Sequence, residues 1–165
     1  MNKQIILLNG PSSSGKSSLA RALRALIEER RKEHYEIVSI DDFMRVPKDE
    51  TIYEDDVFEI SGAMCESMRE ALKSASGVIV DHVITSERIF TQFTASCAPF
   101  PLRLVRVSCP LELLRIREKE RGDRHPGSAE ASLNYLYPGE GYDLTVETQF
   151  MTARECAEFL FKALF

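Results

Sequence analysis

The sequence lacks the long apolar runs of membrane proteins. None of its apolar stretches approaches the length of a membrane span, and the N-terminus lacks the charged and apolar regions of a signal peptide. There is also no internal repeat, no linker and no low-complexity segment. These absences predict a cytoplasmic protein with no membrane partner, and the length of 165 residues predicts a single domain, 1–165, with a sizeable core.

The sequence also has few cysteines and no excess of basic residues. The four cysteines form neither a C-x-x-C motif nor the spacing of a metal site; they are Cys65, Cys97, Cys109 and Cys156. We therefore expect reduced, partly buried thiols and no zinc site. The formal net charge of -5 argues against the extended basic surface that nucleic-acid binding requires, so no nucleic acid is expected as a partner.

Strand-like and helix-like patterns alternate along the chain. Short apolar runs typical of buried strands occur at residues 4–8, 35–41, 77–81, 102–107 and 142–146. Apolar residues at three- and four-residue steps predict helices between these runs, with a polar loop at 45–55. This alternation predicts an α/β fold in which helices cover both faces of a mostly parallel sheet. Ligands of such sheets bind beyond the carboxyl ends of the strands.

A phosphate-binding motif follows the first predicted strand. Residues 10–17 read GPSSSGKS, a full match to G-x-x-x-x-G-K-[ST], the Walker A motif or P-loop. An amphipathic helix follows it, with Leu19, Leu23, Leu26 and Ile27 on one face. A Ser/Gly-rich turn is the alternative interpretation. The register of strand, motif and helix favours a nucleotide site.

The residue types in this motif suit a nucleoside triphosphate. Gly10 and Gly15 allow the backbone to point successive N–H groups at a phosphate, next to the positive end of the helix. Lys16 is expected to reach the β- and γ-phosphates, and the Ser17 hydroxyl to bind Mg²⁺. The residues expected to hold the nucleotide are Gly10, Pro11, Ser12, Ser13, Ser14, Gly15, Lys16, Ser17 and Ser18.

Two acidic residues end predicted strands. Asp41 is placed to take a proton from an acceptor hydroxyl; alternatively, it only caps the following turn. Asp81 resembles the acid that holds the magnesium shell in P-loop enzymes; alternatively, it is a buried acid satisfied by loop backbone. Because both follow the carboxyl ends of strands, we expect them to converge on the P-loop edge of the sheet.

A basic cluster runs into a glycine-containing break. It consists of Arg115, Arg117, Lys119, Arg121 and Arg124, interleaved with acidic residues. A solvated helix face with paired charges accounts well for Arg115 and Lys119. The R-G-D-R sequence from Arg121 to Arg124 is better explained by a mobile lid, roughly residues 117–130, whose arginines contact phosphates and exclude water.

Several motifs occur in the order found in one family of small kinases. They are ILLNG at 6–10 leading into SSSGKS at 12–17, IDDF at 40–43, VIVD at 78–81, ERGDR at 120–124, GYDLTVET at 141–148 and ECA at 155–157. The ERGDR and GYDLTVET motifs are the most specific. On these motifs the chain resembles chloramphenicol phosphotransferase and its relatives, a branch of the small P-loop kinases, over most of its length.

The resemblance implies an ATP-dependent kinase that acts on a hydroxyl of a small molecule. It implies a three-layer α/β/α P-loop kinase fold with a five-stranded parallel sheet in the order 2-3-1-4-5. Matched residue by residue, it makes Asp41 the acid that deprotonates the acceptor hydroxyl. It makes Lys16 and Ser17 the ATP and magnesium residues.

The resemblance also assigns the lid. Arg121 and Arg124 match the lid arginines near the transferred phosphate, and by looser analogy with other small kinases Arg117 stacks on adenine. The segment from Met44 to Met68 departs from the antibiotic enzyme and is more acidic here. The acceptor is therefore expected to be a small hydroxyl compound, and an acidic flank would suit a polyol or a cationic alcohol at least as well as chloramphenicol.

Two other functions are alternatives to this O-phosphotransferase. Another small-molecule or nucleotide kinase would share the P-loop and the lid. A nucleoside monophosphate acceptor would need further arginines, for which Arg45 and Arg88 are the candidates outside the lid. A nucleotide-gated binding module, which orders a surface for a partner protein, would give Asp41 no required role.

Overall fold

A five-stranded parallel sheet forms the centre of the molecule. The structure is a computed structural model, and it describes residues 2–44 and 53–165. The strands are β1 (Gln4–Asn9), β2 (Tyr35–Ser39), β3 (Gly77–His82), β4 (Leu102–Ser108) and β5 (Leu144–Glu147). They pair in the order β2-β3-β1-β4-β5 and every pairing is parallel, which confirms the predicted fold and strand order.

Helices pack on both faces of this sheet. They are α1 (Lys16–Arg31), α2 (Glu54–Ser74), α3 (Glu87–Cys97), α4 (Leu111–Arg121), α5 (Ser128–Asn134) and α6 (Ala153–Leu164), and a 3₁₀ turn spans Ile40–Asp42. Ser86 caps α3, because its side chain accepts a hydrogen bond from the N–H of Ile89 at 3.2 Å. Within the two described ranges, no helix is both long enough and apolar enough to cross a membrane.

The core consists of two apolar layers, one on each face of the sheet. Successive side chains of a strand point to opposite faces, so β1 contributes Ile6 and Leu8 to one layer and Ile5 and Leu7 to the other. The first layer packs against α1 and α6, and the second packs against α2 and α3. All four side chains are fully buried, which explains why this strand is an unbroken apolar run in the sequence.

Several predicted boundaries differ from the structure; β5, for example, begins at Leu144 rather than at Tyr142. β2 ends at Ser39 rather than at Asp41, because the chain turns there into the 3₁₀ helix. The predicted loop at 45–55 extends too far, since α2 already begins at Glu54. A carboxylate at this position is stabilised by the positive end of the helix dipole. The rest of that loop, residues 45–52, lies outside the described residues.

The strand register brings three predicted site segments to one edge of the sheet. Leu8 of β1 and Ser39 of β2 both pair with Asp81 of β3. The P-loop, which follows β1, therefore begins beside Asp81. The 3₁₀ turn that carries Asp41 follows Ser39 directly and lies at the same edge. This edge contains the carboxyl ends of the strands, where sheets of this type bind ligands.

Candidate active site

The P-loop wraps closely around the end of β1. A Cβ atom at Gly10 would collide with the backbone oxygen of Val107, so the close approach requires glycine. Gly15 has a φ of 97° and Ser13 a φ of 68°, which places both in the left-handed region. Gly10 and Gly15 are therefore needed for different reasons: the first for space, the second for backbone conformation.

Lys16 lies at the start of α1 with 6% of its surface exposed. Its Nζ donates hydrogen bonds to the backbone oxygen of Pro11 at 2.8 Å and to Ser14 Oγ at 3.4 Å, so the ammonium group lies over the loop. Burial lowers the pKa of Lys16 below its ordinary value, and the carboxylates of Asp81 and Asp41 oppose that shift. The amine is thus held against the P-loop between two acids.

Ser17 and Asp81 bring two oxygen atoms together. Ser17 Oγ donates a 2.6 Å hydrogen bond to Asp81 Oδ2, and Ser39 Oγ donates to the same oxygen at 3.3 Å. Mg²⁺ prefers oxygen ligands and commonly combines one or two from the protein with those of waters and substrate phosphates. In the described part of the chain, no group of three or more His, Cys, Asp or Glu could hold a metal ion. The Ser17–Asp81 pair suits Mg²⁺ binding in which the protein supplies one or two oxygen ligands and waters and substrate phosphates supply the rest.

Asp41 lies in the 3₁₀ turn and lines the same cavity as the P-loop. Its Oδ2 accepts a hydrogen bond from Arg124 Nη2 at 2.7 Å, and the two side chains are 38% and 21% exposed, respectively. The Nε of Arg124 is buried and has no hydrogen-bond acceptor among the described residues. The structure therefore places the predicted base in contact with a predicted lid arginine.

Arg121 occupies a different position from Arg124. It ends α4 and lines the cavity. Its Nε donates to Asp123 Oδ1 at 3.2 Å, so its contact lies within the loop that follows the helix. One lid arginine thus contacts Asp41, whereas the other faces the P-loop cavity.

Arg117 joins α4 to the P-loop. Its Nη1 donates to the backbone oxygen of Ser14 at 3.2 Å and to Thr148 Oγ1 at 3.1 Å, and its Nη2 donates to the backbone oxygen of Thr148 at 3.0 Å. Thr148 Oγ1 in turn donates to the Ser14 oxygen at 2.7 Å. These bonds hold the edges of a planar group that also lines the cavity.

One cavity of about 660 Å³ joins these groups. The predicted site residues that line it are Ser12, Ser13, Gly15, Lys16, Ser17, Ser18, Asp41, Asp81, Arg117 and Arg121. Gly10, Pro11 and Ser14 complete the P-loop, and Arg124 reaches Asp41 from the lid. The remaining walls come from residues that sequence reasoning did not assign to the site: Leu19, Ile40, Val83, Glu120, Thr148, Met151, Ala153 and Cys156.

Asn9 is a second polar anchor, besides Thr148, that sequence reasoning missed. It is fully buried at the end of β1. Its Nδ2 donates to the backbone oxygen of Tyr137 at 2.9 Å and to Tyr142 Oη at 3.0 Å, while its Oδ1 accepts from the N–H of Ile84 at 2.9 Å. A polar residue ending an apolar strand was the available signal, but its partners lie far away in the sequence.

Arg88 is paired with acidic side chains at the start of α2. Its Nη1 donates to Glu54 Oε2 at 2.9 Å and to Asp55 Oδ1 at 2.6 Å, and its guanidinium carbon lies 3.8 Å from the centre of the Phe58 ring. This arrangement satisfies the charge of Arg88 within the protein. The other candidate for a nucleoside monophosphate, Arg45, lies outside the described residues.

Comparison with known proteins places this site in context. The sequence matches the family described as chloramphenicol phosphotransferase-like protein over residues 3–164. No curated protein matches the sequence.

Solved structures share the fold over nearly the whole chain. One is the APS kinase CysC of Mycobacterium tuberculosis in complex with AMPPNP and APS, with a TM-score of 0.75, 16% identity and coverage of 99% of this chain and 98% of that one. A gluconokinase from Sinorhizobium meliloti 1021 has a TM-score of 0.66 and 22% identity, with 99% and 98% covered. The tunicamycin resistance protein of Deinococcus radiodurans has a TM-score of 0.63 and 18% identity, with 97% and 94% covered.

Proposed function

The chain belongs to the chloramphenicol phosphotransferase-like family, and we propose that it is an ATP-dependent O-phosphotransferase that moves the γ-phosphate of ATP to a hydroxyl of a small molecule. The observation that carries this proposal is the cavity that the P-loop shares with Asp41. A P-loop by itself would suit any protein that binds a nucleotide. A carboxylate at the phosphate end supports transfer to a hydroxyl, because it can accept the proton of that hydroxyl.

The nucleotide end of the cavity is assigned to the P-loop and Arg117. Backbone N–H groups of the loop and the amine of Lys16 would bind the phosphates. Arg117 would stack on the adenine, since Ser14 and Thr148 hold the edges of its guanidinium group. Ser17 and Asp81 would hold Mg²⁺, which neutralises charge on the phosphate oxygens when bound.

Asp41 serves as the general base in this proposal. Arg124 contacts Oδ2, and we assign Oδ1 to the acceptor hydroxyl. The hydroxyl proton passes to the carboxylate as the oxygen attacks the γ-phosphorus, and the bond from that phosphorus to the bridging oxygen breaks. The products are ADP and a phosphate ester. Negative charge on the transferred group would be stabilised by Lys16, Arg121 and the Nε of Arg124.

The acceptor is proposed to be a neutral or cationic alcohol. The similar structures are named an APS kinase, a gluconokinase and a tunicamycin resistance protein, so one fold carries differently named activities. Arg88 pairs with Glu54 and Asp55 and is not among the residues that line the cavity. This pairing disfavours a nucleoside monophosphate.

The proposal is tested by transfer of labelled γ-phosphate from Mg-ATP to a panel of hydroxyl compounds. The panel contains chloramphenicol, aminoglycosides, polyols, nucleosides and the four nucleoside monophosphates. We expect transfer to a neutral or cationic alcohol. Asp41→Asn should lower kcat by roughly 100- to 10,000-fold while ATP affinity is kept, because the variant loses the proton acceptor and leaves the P-loop unchanged.

Asp42→Asn is the matched control, since it removes the same charge from the exposed neighbouring residue. It should keep most of the transfer activity. Full activity in Asp41→Asn would contradict the assigned base. Rapid phosphorylation of a nucleoside monophosphate would contradict the acceptor class, and tight ATP binding without transfer to any compound would favour a nucleotide-gated binding module.

A further inference from the structure

Glu118 is a buried carboxylate that the proposed chemistry does not use. It lies on α4, and 9% of its surface is exposed. Its Oε2 accepts a hydrogen bond from the N–H of Gly127 at 3.1 Å, and its Oε1 accepts from the N–H of Ala129 at 2.8 Å. Both oxygens of one side chain therefore bind backbone at the start of α5. Hydrogen bonds to an ionised acceptor are about twice as strong as neutral ones.

These two bonds close the base of the arginine loop, which we define as residues 122–127 between α4 and α5. The loop begins at Gly122 with a φ of 69° and ends at Gly127 with a φ of 91°. Both glycines use left-handed backbone that other residues rarely adopt, so the chain reverses within a few residues. Glu118 links the two ends of this reversal, with Arg121 just before the loop and Arg124 inside it.

Both helices that flank the arginine loop are also fixed to the P-loop. On the α5 side, Ser132 Oγ accepts a hydrogen bond from the N–H of Ser12 at 3.0 Å. On the α4 side, Arg117 donates to the backbone oxygen of Ser14 at 3.2 Å. Glu118 connects these two anchored helices to each other, so the P-loop, α4 and α5 form one frame around the arginine loop.

We propose that Glu118 is a positioning residue, which holds Arg124 against Asp41 and Arg121 at the phosphate end of the cavity. The inference rests on the proposed phosphotransferase activity. The two hydrogen bonds that Glu118 accepts from Gly127 and Ala129, which we call the clamp, do not themselves require turnover. Its energetic basis is positional: a charged group displaced by about 1 Å from the reacting phosphate can cost about 100-fold in rate.

The kinetic test uses Glu118→Ala, which removes both hydrogen bonds, and Glu118→Gln, which keeps one acceptor oxygen. We expect kcat to fall by roughly 10- to 100-fold in Glu118→Ala and less in Glu118→Gln, with KM for ATP nearly unchanged. Glu112→Gln changes an exposed carboxylate on the same helix and should keep wild-type kinetics.

A double-mutant cycle separates positioning from general loss of structure. If Glu118 acts through the two arginines, adding Glu118→Gln to a variant that carries both Arg121→Ala and Arg124→Ala should cause little further loss of kcat. The assignment would be overturned if the effects of the glutamate and arginine changes on kcat multiplied, or if KM rose while kcat stayed unchanged.

Hydrogen exchange tests the clamp independently of catalysis. In Glu118→Gln, the amides of Gly127, Ala129 and the arginine loop should exchange faster than in the wild type, while those of α6 stay unchanged. Unchanged exchange at Gly127 and Ala129 would disprove the clamp even if the kinase reaction is confirmed. Faster exchange in a protein that transfers no phosphate would keep the clamp and reject the phosphotransferase.

Discussion

At the scale of single residues, His82 makes uncharged polar contacts at the carboxyl edge of the sheet. It follows Asp81 on β3 and is fully buried. Its Nδ1 accepts a hydrogen bond from the N–H of Val83 at 2.8 Å, which leaves the ring proton on Nε2, 3.0 Å from Ser61 Oγ. Because Ser61 lies on α2, the neutral imidazole joins that helix to the strand that carries Asp81.

The surroundings of His82 make the stability of the folded protein decrease at acid pH. Burial lowers the pKa of His82 from 6.5 to about 3, and the positive charge of Lys16 adds to this shift. In the unfolded chain the ring takes up a proton near its ordinary pKa, whereas the folded protein resists protonation until about pH 3. Between these values the unfolded state binds more protons. The contribution to stability is therefore complete above pH 6.5 and is lost as the pH falls.

We predict that His82→Gln weakens this pH dependence, because glutamine can hydrogen-bond Ser61 but does not titrate. In urea unfolding between about pH 7 and pH 4, the free energy of unfolding of the wild type should fall more steeply than that of the variant, by up to about 1.4 kcal/mol per pH unit. His34→Gln, at an exposed histidine, should keep the wild-type slope. Equal slopes for the wild type and His82→Gln would assign the dependence to other groups.

At the scale of elements, the arginine loop is the segment most suited to respond to nucleotide. The sequence predicted a lid of roughly 117–130, but the contacts divide that range. Arg117 is bonded to the P-loop and α5 begins at Ser128, so residues 122–127 are the part that lies between anchored helices. A phosphate that binds Arg121 or Arg124 would restrict this loop without moving its frame.

We predict that Mg-ATP slows amide hydrogen exchange in residues 122–127 and changes it much less in Ser128–Asn134. The reason is that new bonds from arginine to phosphate order the loop, whereas α5 is already held by Glu118 and Ser132. The measurement compares Mg-ATP with Mg²⁺ alone. Equal protection of the loop and α5 would indicate that the whole segment closes as one body. No protection in 122–127 would contradict the lid assignment.

The same elements show which features a sequence can predict. β1, the P-loop and α1 are consecutive, so an apolar run, a glycine motif and a helical period each pointed to the correct structure. The glycine-containing break that begins at Gly122 likewise predicted the end of α4. Each of these signals is local, and each predicts the structure correctly because the local preference agrees with the final fold.

The contacts that assemble the site could not be predicted in this way. Arg124 meets Asp41 across 83 residues, and Thr148 meets Ser14 across 134. Glu118 binds backbone N–H groups, which carry no residue-type signature, so no spacing of side chains could have indicated its clamp. Such contacts arise only when strand order and register bring distant segments together.

At the scale of the whole molecule, buried polarity is concentrated at one edge. The two apolar layers fill both faces of the sheet. In contrast, the buried polar and charged residues of the two described ranges belong to the P-loop, the ends of the strands and the frame of the arginine loop, with Ser61 beside His82. They are Asn9, Ser13, Ser14, Lys16, Ser61, Asp81, His82, Glu118, Ser132 and Thr148. Burying such groups is costly unless each finds a partner, so their concentration at one edge supports the proposal of a ligand site there.

This arrangement predicts that Mg-ATP stabilises the folded protein. A ligand that binds only the native state at 100 times its Kd contributes about 2.7 kcal/mol, which corresponds to a rise in Tm of roughly 5–10 °C for a domain of this size. Lys16→Ala and Asp81→Asn should reduce the rise, because they would remove the proposed phosphate-binding amine and a proposed magnesium ligand. Lys73→Ala, at an exposed lysine paired with Glu70, should keep it.

Asp41→Asn should keep the full rise in Tm while losing phosphate transfer, because Asp41 is assigned to the acceptor and not to ATP. That combination would separate nucleotide binding from chemistry within one cavity. A smaller rise in Asp41→Asn would instead mean that the Asp41–Arg124 pair contributes to nucleotide affinity. In that case the arginine loop, rather than the carboxylate alone, would couple ATP binding to the acceptor side, and the loss of transfer could not be attributed to the missing base.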